Sequence, residues 1–212
     1  MRGVVFDLDG TLIDSYAAIA ESLDHARAAF GLVPLGPDGV RPHVGRGLES
    51  LIADLVGAER VDDGVRLFRE RYAEAWRRGT RLLPGAGAVL ARLRHAGLRL
   101  ALASNKPERF GRLILAGFGL DGLFDAIEGP DTAGAAKPEP TMIRRCLERM
   151  HCSVDEALYV GDMPLDAISA DRAGVAVVLV TGGSATREAL IATGRPVLER
   201  LDGLPAWIAG LG

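Results

Sequence analysis

Lysine is nearly missing from this chain. Of its 25 basic residues, all but Lys106 and Lys137 are arginines. Such a bias follows coding composition more than physics. Against it, a retained lysine marks a place where a compact ammonium is needed. Cysteine is equally scarce. Cys146 and Cys152 lie close together near one expected helix, and His151, adjacent to Cys152, is not at zinc-ligand spacing. Reduced thiols in a cytoplasmic protein are expected, not a disulfide or a zinc pair. Excess positive charge is absent too. The net charge of −3 gives no basic footprint for nucleic acid. No apolar run approaches the length of a membrane span, and the first residues enter a strand with no signal-peptide pattern. Repeats and low-complexity segments are missing as well.

What is present suits a folded core. The 212 residues are 48% hydrophobic and 25% charged, which fits one large domain or a domain carrying an insertion.

The stretch that organises the rest is Val4-Val5-Phe6-Asp7-Leu8-Asp9-Gly10-Thr11-Leu12. Val4, Val5, Phe6 and Leu8 read as a strand covered on both faces. Asp7 and Asp9 interrupt it, and a buried carboxylate is costly unless paired, hydrogen-bonded or bound to a cation. Two apart on a strand, they share a face and converge at its C-terminal end. Gly10 allows the turn, and Thr11 adds a hydroxyl and an N–H. Alone, this could be a strand ending in an Asp-Gly turn. The later loops weaken that reading.

Residues 14–31 carry Ile19, Leu23, Ala26 and Phe30 at helical spacing. Residues 32–47 read as a long Pro/Gly-rich loop, with a short helical piece within it as an alternative. Helices follow from Leu48 to Val56 and from Val61 to Arg78. In the latter, Val65, Phe68, Tyr72 and Trp76 form a stripe read as core. From Leu83 strands and helices alternate. Strands are expected at 98–103, 124–128, 157–160 and 175–180, with helices after Pro84-Gly85 and from Pro107, Pro138 and Pro164. The tail adds a helix, a short strand near Val197 and a last helix with Trp207. This alternation predicts an α/β fold: a doubly wound, Rossmann-like parallel-sheet core, 1–13 and 81–212, with a small all-helical cap, 14–80, inserted after the first strand. The insertion falls over the strand ends where α/β proteins bind ligands.

Three loops share a design: Ser104-Asn105-Lys106 before Pro107, Lys137 before Pro138, and Gly161-Asp162-Met163 before Pro164. Proline suits the first helical position, and helix N-termini offer N–H groups to anions. Parallel strands bring such loops to one edge, where they meet Asp7 and Asp9. Acids at 7, 9, 162 and 166 against the ammonium of Lys137 invite a divalent cation such as Mg²⁺. The lysine with the hydroxyls of Thr11 and Ser104 invites a phosphoryl group. A carboxylate can then attack phosphorus, while a second acid serves the leaving oxygen and the attacking water.

Asp7-Leu8-Asp9-Gly10-Thr11, Ser104, Lys137-Pro138 and Gly161-Asp162-Met163-Pro164-Leu165-Asp166 together resemble the four motifs of the haloacid dehalogenase (HAD) superfamily. The likeness spans essentially the whole chain, and the insertion resembles that superfamily's small helical cap. It implies Asp7 as nucleophile and metal ligand, and Asp9 as general acid/base with its backbone carbonyl on the metal. It implies Thr11 and Ser104 on the phosphoryl group, Lys137 on the aspartyl-phosphate charge, Asp162 on Mg²⁺ and Asp166 in support. Asn105 is a further phosphate-binding candidate. Cap opening is expected at hinges near 14–15 and 80–83.

Asp9 disfavours a dehalogenase, since those members lack the second aspartate. The absence of lysine from 14–80 disfavours a phosphonatase, and removes the cap lysine used by mutases of β-phosphoglucomutase type. A phosphatase is left, and a mutase or a catalytically quiet HAD-fold binding module are the alternatives. Receiver domains, another class with acids, a Ser/Thr and a lysine, have no large cap. Val44-Gly45-Arg46-Gly47 and Ser104-Asn105-Lys106-Pro107 resemble loops of phosphoglycolate phosphatases. That resemblance implies a small phosphate ester like 2-phosphoglycolate as substrate, with Arg46 on its carboxylate. For Arg46 a solvated surface role is an equal alternative, and for Lys106 an exposed loop charge is at least as good as substrate contact. A monomer or homodimer is expected, without nucleic acid or membrane partners.

Overall fold

The computed structural model describes residues 1–210. Its main sheet has six strands: β1 (Gly3–Phe6), then, after a two-residue β2 (Ile13–Asp14) and β3 (Arg81–Leu82) that pair with each other, β4 (Arg99–Ala103), β5 (Ala126–Glu128), β6 (Ala157–Gly161), β7 (Ala176–Val180) and β8 (Val197–Leu198). The order is β5-β4-β1-β6-β7-β8 and every ladder in it is parallel. Successive strands run outward from β1 to one edge and then, after β5, return to its other side. The chain therefore reverses at β1, and its C-terminal end is the switch-point crevice where such sheets hold ligands.

Alternation along each strand sends side chains to two helical layers. Val5, Ala101, Ala103 and Tyr159 face one layer, built by α8 (Thr141–Met150) and α9 (Pro164–Ala173). Met142, Ile143, Cys146, Ala167 and Ala170 fill that side. On the other side, Gly111 of α6 (Glu108–Gly117) sits so close that an added Cβ would lie 3.1 Å from Leu102. α5 (Ala86–His95) buries Val89, Leu90 and Leu93. The expected doubly wound α/β sheet is thus the observed one.

Contacts divide the chain into two compact units, Met1–Ile13 with Leu82–Gly212, and Asp14–Arg81. The second is all helical apart from its terminal strand residues. It contains α1 (Tyr16–Ala29), α2 (Gly36–Val40), α3 (Leu48–Leu55) and α4 (Val61–Gly79). Val65, Phe68, Tyr72 and Trp76 are buried within it, with Phe68 and Tyr72 stacked at 5.4 Å. Arg27 is buried in the same unit and donates to the carbonyls of Val33 and Leu55, stitching the loop after α1 to the end of α3. Among the described residues no helix is long and apolar enough to cross a membrane.

Two expectations need correction. The helix expected from Pro138 begins at Thr141. Pro140 disfavours helical backbone at Glu139, so residues 136–139 form a turn, closed by Glu139 N–H donating to the Ala136 carbonyl. Only at Pro164 does proline occupy the first turn of its helix as read; Pro107 precedes α6 as its cap. A short helix, α7 (Pro130–Ala133), was not read from the sequence.

Candidate active site

β1 places the first acid. Asp7 continues the ladder past Phe6, its N–H donating to the Val160 carbonyl at 2.9 Å. By alternation it points to the side of Val5 and Tyr159, which pair in register. α8 packs on that side, and the loop before α8 supplies Lys137. Its ammonium has three N–H donors and three acceptors: Asp7 Oδ1 at 2.8 Å, Asp166 Oδ1 at 2.7 Å and the Tyr159 hydroxyl at 3.1 Å. All four residues are buried.

Asp166 is held on every side. Its Oδ1 also accepts from Tyr159, and its Oδ2 accepts the N–H groups of Asp162 and Met163 at 3.1 and 3.0 Å. It therefore caps the start of α9 while orienting Lys137. Gly161 permits this, since a Cβ there would overlap the Asp166 carboxylate. Asp162, fully buried, accepts from the Thr11 hydroxyl at 3.0 Å and from Ser184 N–H at 2.7 Å. Gly183 must be glycine for the same reason as Gly161, because a Cβ would overlap Asp162.

Asp7, Asp162 and Asp166 offer carboxylate oxygens that all lie within 4.8 Å of one another. Burial, with the charges of Asp166 and Asp9, lifts Asp7 to about 6 despite the lysine. Burial and then the neighbouring Asp166 and Asp7 push Asp162 well above the carboxylate range. Burial alone would lower Lys137, but Asp166 and Asp7 outweigh it and hold the ammonium protonated. The trio is thus short of positive charge. An all-oxygen donor set without histidine or cysteine suits a hard divalent cation and not zinc or copper.

Asp9 stands apart from that trio. Its Oδ2 is 2.9 Å from Lys106 Nζ, and both side chains are about one-tenth exposed. Ser104 is buried at the end of β4 and accepts from Lys106 N–H at 3.4 Å. Asn105 bonds the Lys137 backbone twice, accepting its N–H at 2.7 Å and donating to its carbonyl at 3.3 Å. Its amide ties two site loops together. Arg46 belongs to the helical unit, where its half-exposed guanidinium pairs with Asp54.

Two contributors, Tyr159 and Ser184, were not among the expected site residues, and the pairing of Lys106 with Asp9 was not expected either. Tyr159 had a legible signal, the one polar-tipped residue in an apolar buried strand. Thr181-Gly182-Gly183-Ser184 also follows a strand directly, as the other site loops do.

A family model described as haloacid dehalogenase-like hydrolase matches residues 4–180, and the chain belongs to that family. Within it, the chain is similar to phosphoglycolate phosphatases. It is 36% identical to that of Rhodospirillum rubrum over 220 residues, 98% of this chain and 90% of that protein. It is 37% identical to that of Aquifex aeolicus, with 86% of each covered. The crystal structure of a predicted phosphatase from Clostridium acetobutylicum matches with a TM-score of 0.89 at 26% identity, covering 99% of this chain and 98% of that one.

Proposed function

We propose that this hydrolase is a phosphatase acting on a small phosphate monoester of the 2-phosphoglycolate kind, through an aspartyl-phosphate. The observation that carries this is the buried Asp7 carboxylate gripped by Lys137 beside Asp162, with Asp9 on a neighbouring loop position. Asp7 attacks phosphorus, and the bond from phosphorus to the ester oxygen breaks. Asp9 gives that oxygen its proton. Asp9 then takes a proton from water, whose oxygen attacks phosphorus and frees Asp7 and inorganic phosphate. Lys137 balances charge on the Asp7 oxygens throughout. The Ser104 hydroxyl binds the phosphoryl oxygens, while Thr11 supports it through its N–H and steadies Asp162 through its hydroxyl.

Asp7, Asp162 and the Asp9 backbone carbonyl would hold Mg²⁺, with Asp166 supporting. The ion supplies the charge that lets an anionic nucleophile approach an anionic ester. In this reading Arg46, on the helical cap, pairs with the substrate carboxylate. The similarity to phosphoglycolate phosphatases over most of both chains supports this choice of substrate.

The test is phosphate release from a panel of 2-phosphoglycolate, hexose 1- and 6-phosphates, nucleotides and pyrophosphate, each with Mg²⁺ and with chelator. Chelator-sensitive release concentrated on 2-phosphoglycolate is expected. Release spread over sugar phosphates would drop the substrate and keep the phosphatase. Isomerisation of glucose 1-phosphate without release would replace both with a mutase.

A further inference from the structure

Only two lysines occur in the chain, and each ends on a different site aspartate: Lys137 on Asp7, Lys106 on Asp9. The first pairing belongs to the motif already described. The second does not. Its two side chains are almost as enclosed as a core pair, with exposures of 9% and 11%, so it differs from the solvated arginine pairs elsewhere on the surface, which constrain little.

The Lys106 backbone is held in place. Its N–H donates to Ser104 Oγ. The start of α6 behind it is capped by Asp131, which accepts Glu108 N–H at 2.8 Å. Gly129 packs so tightly under the turn that a Cβ would overlap Glu108 N and sit 2.8 Å from the Lys106 carbonyl oxygen. On the other side, the turn bearing Asp9 is closed by Gly10 N–H donating to the Ile13 carbonyl at 2.8 Å. β1 and β4 are neighbours in register from Gly3–Arg99 to Phe6–Leu102, so both loops leave the same sheet edge side by side. A fixed ammonium thus meets a fixed turn. Asp7 and Asp9 repel each other, and Lys106 is a cation paired directly with Asp9.

We infer that Lys106 is a positioning residue for Asp9, holding its carboxylate where the leaving oxygen must be protonated. This rests on the phosphatase reading above. It separates Lys106 from the substrate-binding groups: its influence should follow the leaving group's demand for a proton, not the substrate's charge.

Leaving groups supply the test. An alkoxide leaves only with a proton, whereas p-nitrophenolate leaves almost without one. The quantity kcat/KM reads the step in which that group departs. Wild type, Lys106→Met and Lys106→Arg are compared with Mg²⁺ on 2-phosphoglycolate, glycerol 1-phosphate and p-nitrophenyl phosphate. Folding is checked by thermal unfolding.

Lys106→Met should lose about 100-fold in kcat/KM on both alkyl esters, within the span of general acid catalysis, and less than about 5-fold on the aryl ester. Lys106→Arg should recover a large part of the alkyl loss. Equal losses on all three esters would overturn the inference in favour of general disruption. A loss confined to 2-phosphoglycolate would overturn it in favour of contact with the substrate carboxylate. Should Lys106→Met not fold, Lys106→Gln reads the same ratios. If wild type hydrolyses none of the three, the phosphatase reading fails and the inference falls with it; if it hydrolyses them and the ratios do not move, the inference alone fails.

Discussion

Lys137 Nζ lies 2.8 Å from Asp7 Oδ1, although 130 residues separate them in the chain. The contact is buried, and the same ammonium serves Asp166. Such a cation is worth most where water cannot replace it. Removing one partner of a buried pair leaves uncompensated charge behind.

Lys137→Met should therefore be destabilising by roughly 3–5 kcal/mol at neutral pH, because two buried carboxylates lose their shared cation. Urea unfolding of the metal-free protein measures this. The penalty should shrink at pH 5, where Asp7 takes up a proton. A loss below about 1 kcal/mol at pH 7.5 would mean the pair is solvated.

Asp7 gives a pH signature with a definite sign. Its folded pKa of about 6 stands above the ordinary carboxylate value of 3.8, so the folded state binds the proton more tightly than the unfolded chain. The contribution is fully present below pH 4 and is lost as pH rises through 6. At about 1.36 kcal/mol per unit, the loss approaches roughly 3 kcal/mol. Asp7→Asn, which cannot titrate, should thus gain on wild type in chelator as pH goes from 4.5 to 7.5. Mg²⁺ should raise the wild-type melting temperature more at pH 7.5 than at 5. The same variant should keep its fold and lose turnover by a factor on the order of 10⁴ or more. Persisting turnover would mean another residue is the nucleophile.

Asn105 should behave as a brace. Asn105→Ala strands the buried Lys137 N–H, at a cost of about 1–3 kcal/mol, and thermal unfolding should show it. Unchanged stability with a raised KM for every phosphate ester would instead make the amide a phosphate ligand.

For Arg46 the expectation is reversed. Its pairing with Asp54 is half exposed and worth at most about 1 kcal/mol, so Arg46→Ala should leave stability nearly unchanged. KM for 2-phosphoglycolate should rise about tenfold or more while kcat holds, and glycerol 1-phosphate should be unaffected. Equal effects on both esters would remove Arg46 as the carboxylate reader.

The acids and the lysine of the site were legible in the linear chain because each breaks a strong local pattern. Asp7 and Asp9 interrupt an apolar strand, Asp162 follows one, and Lys137 is a lysine in an arginine chain. The sheet was legible for a related reason: apolar runs with β-branched residues alternate with helical periodicity, and parallel connections put all strand ends on one edge. Local propensity misjudged the segment after Lys137, where two prolines delay the helix.

What the chain order could not reveal is who touches whom at that edge. Four carboxylates and two lysines admit several pairings of equal sense. Tertiary structure selected Lys137 for Asp7 and Asp166, Lys106 for Asp9, and the Thr11 hydroxyl for Asp162. The reason is physical: strand register and alternation decide which side of the sheet each residue meets, and register exists only once the strands have paired.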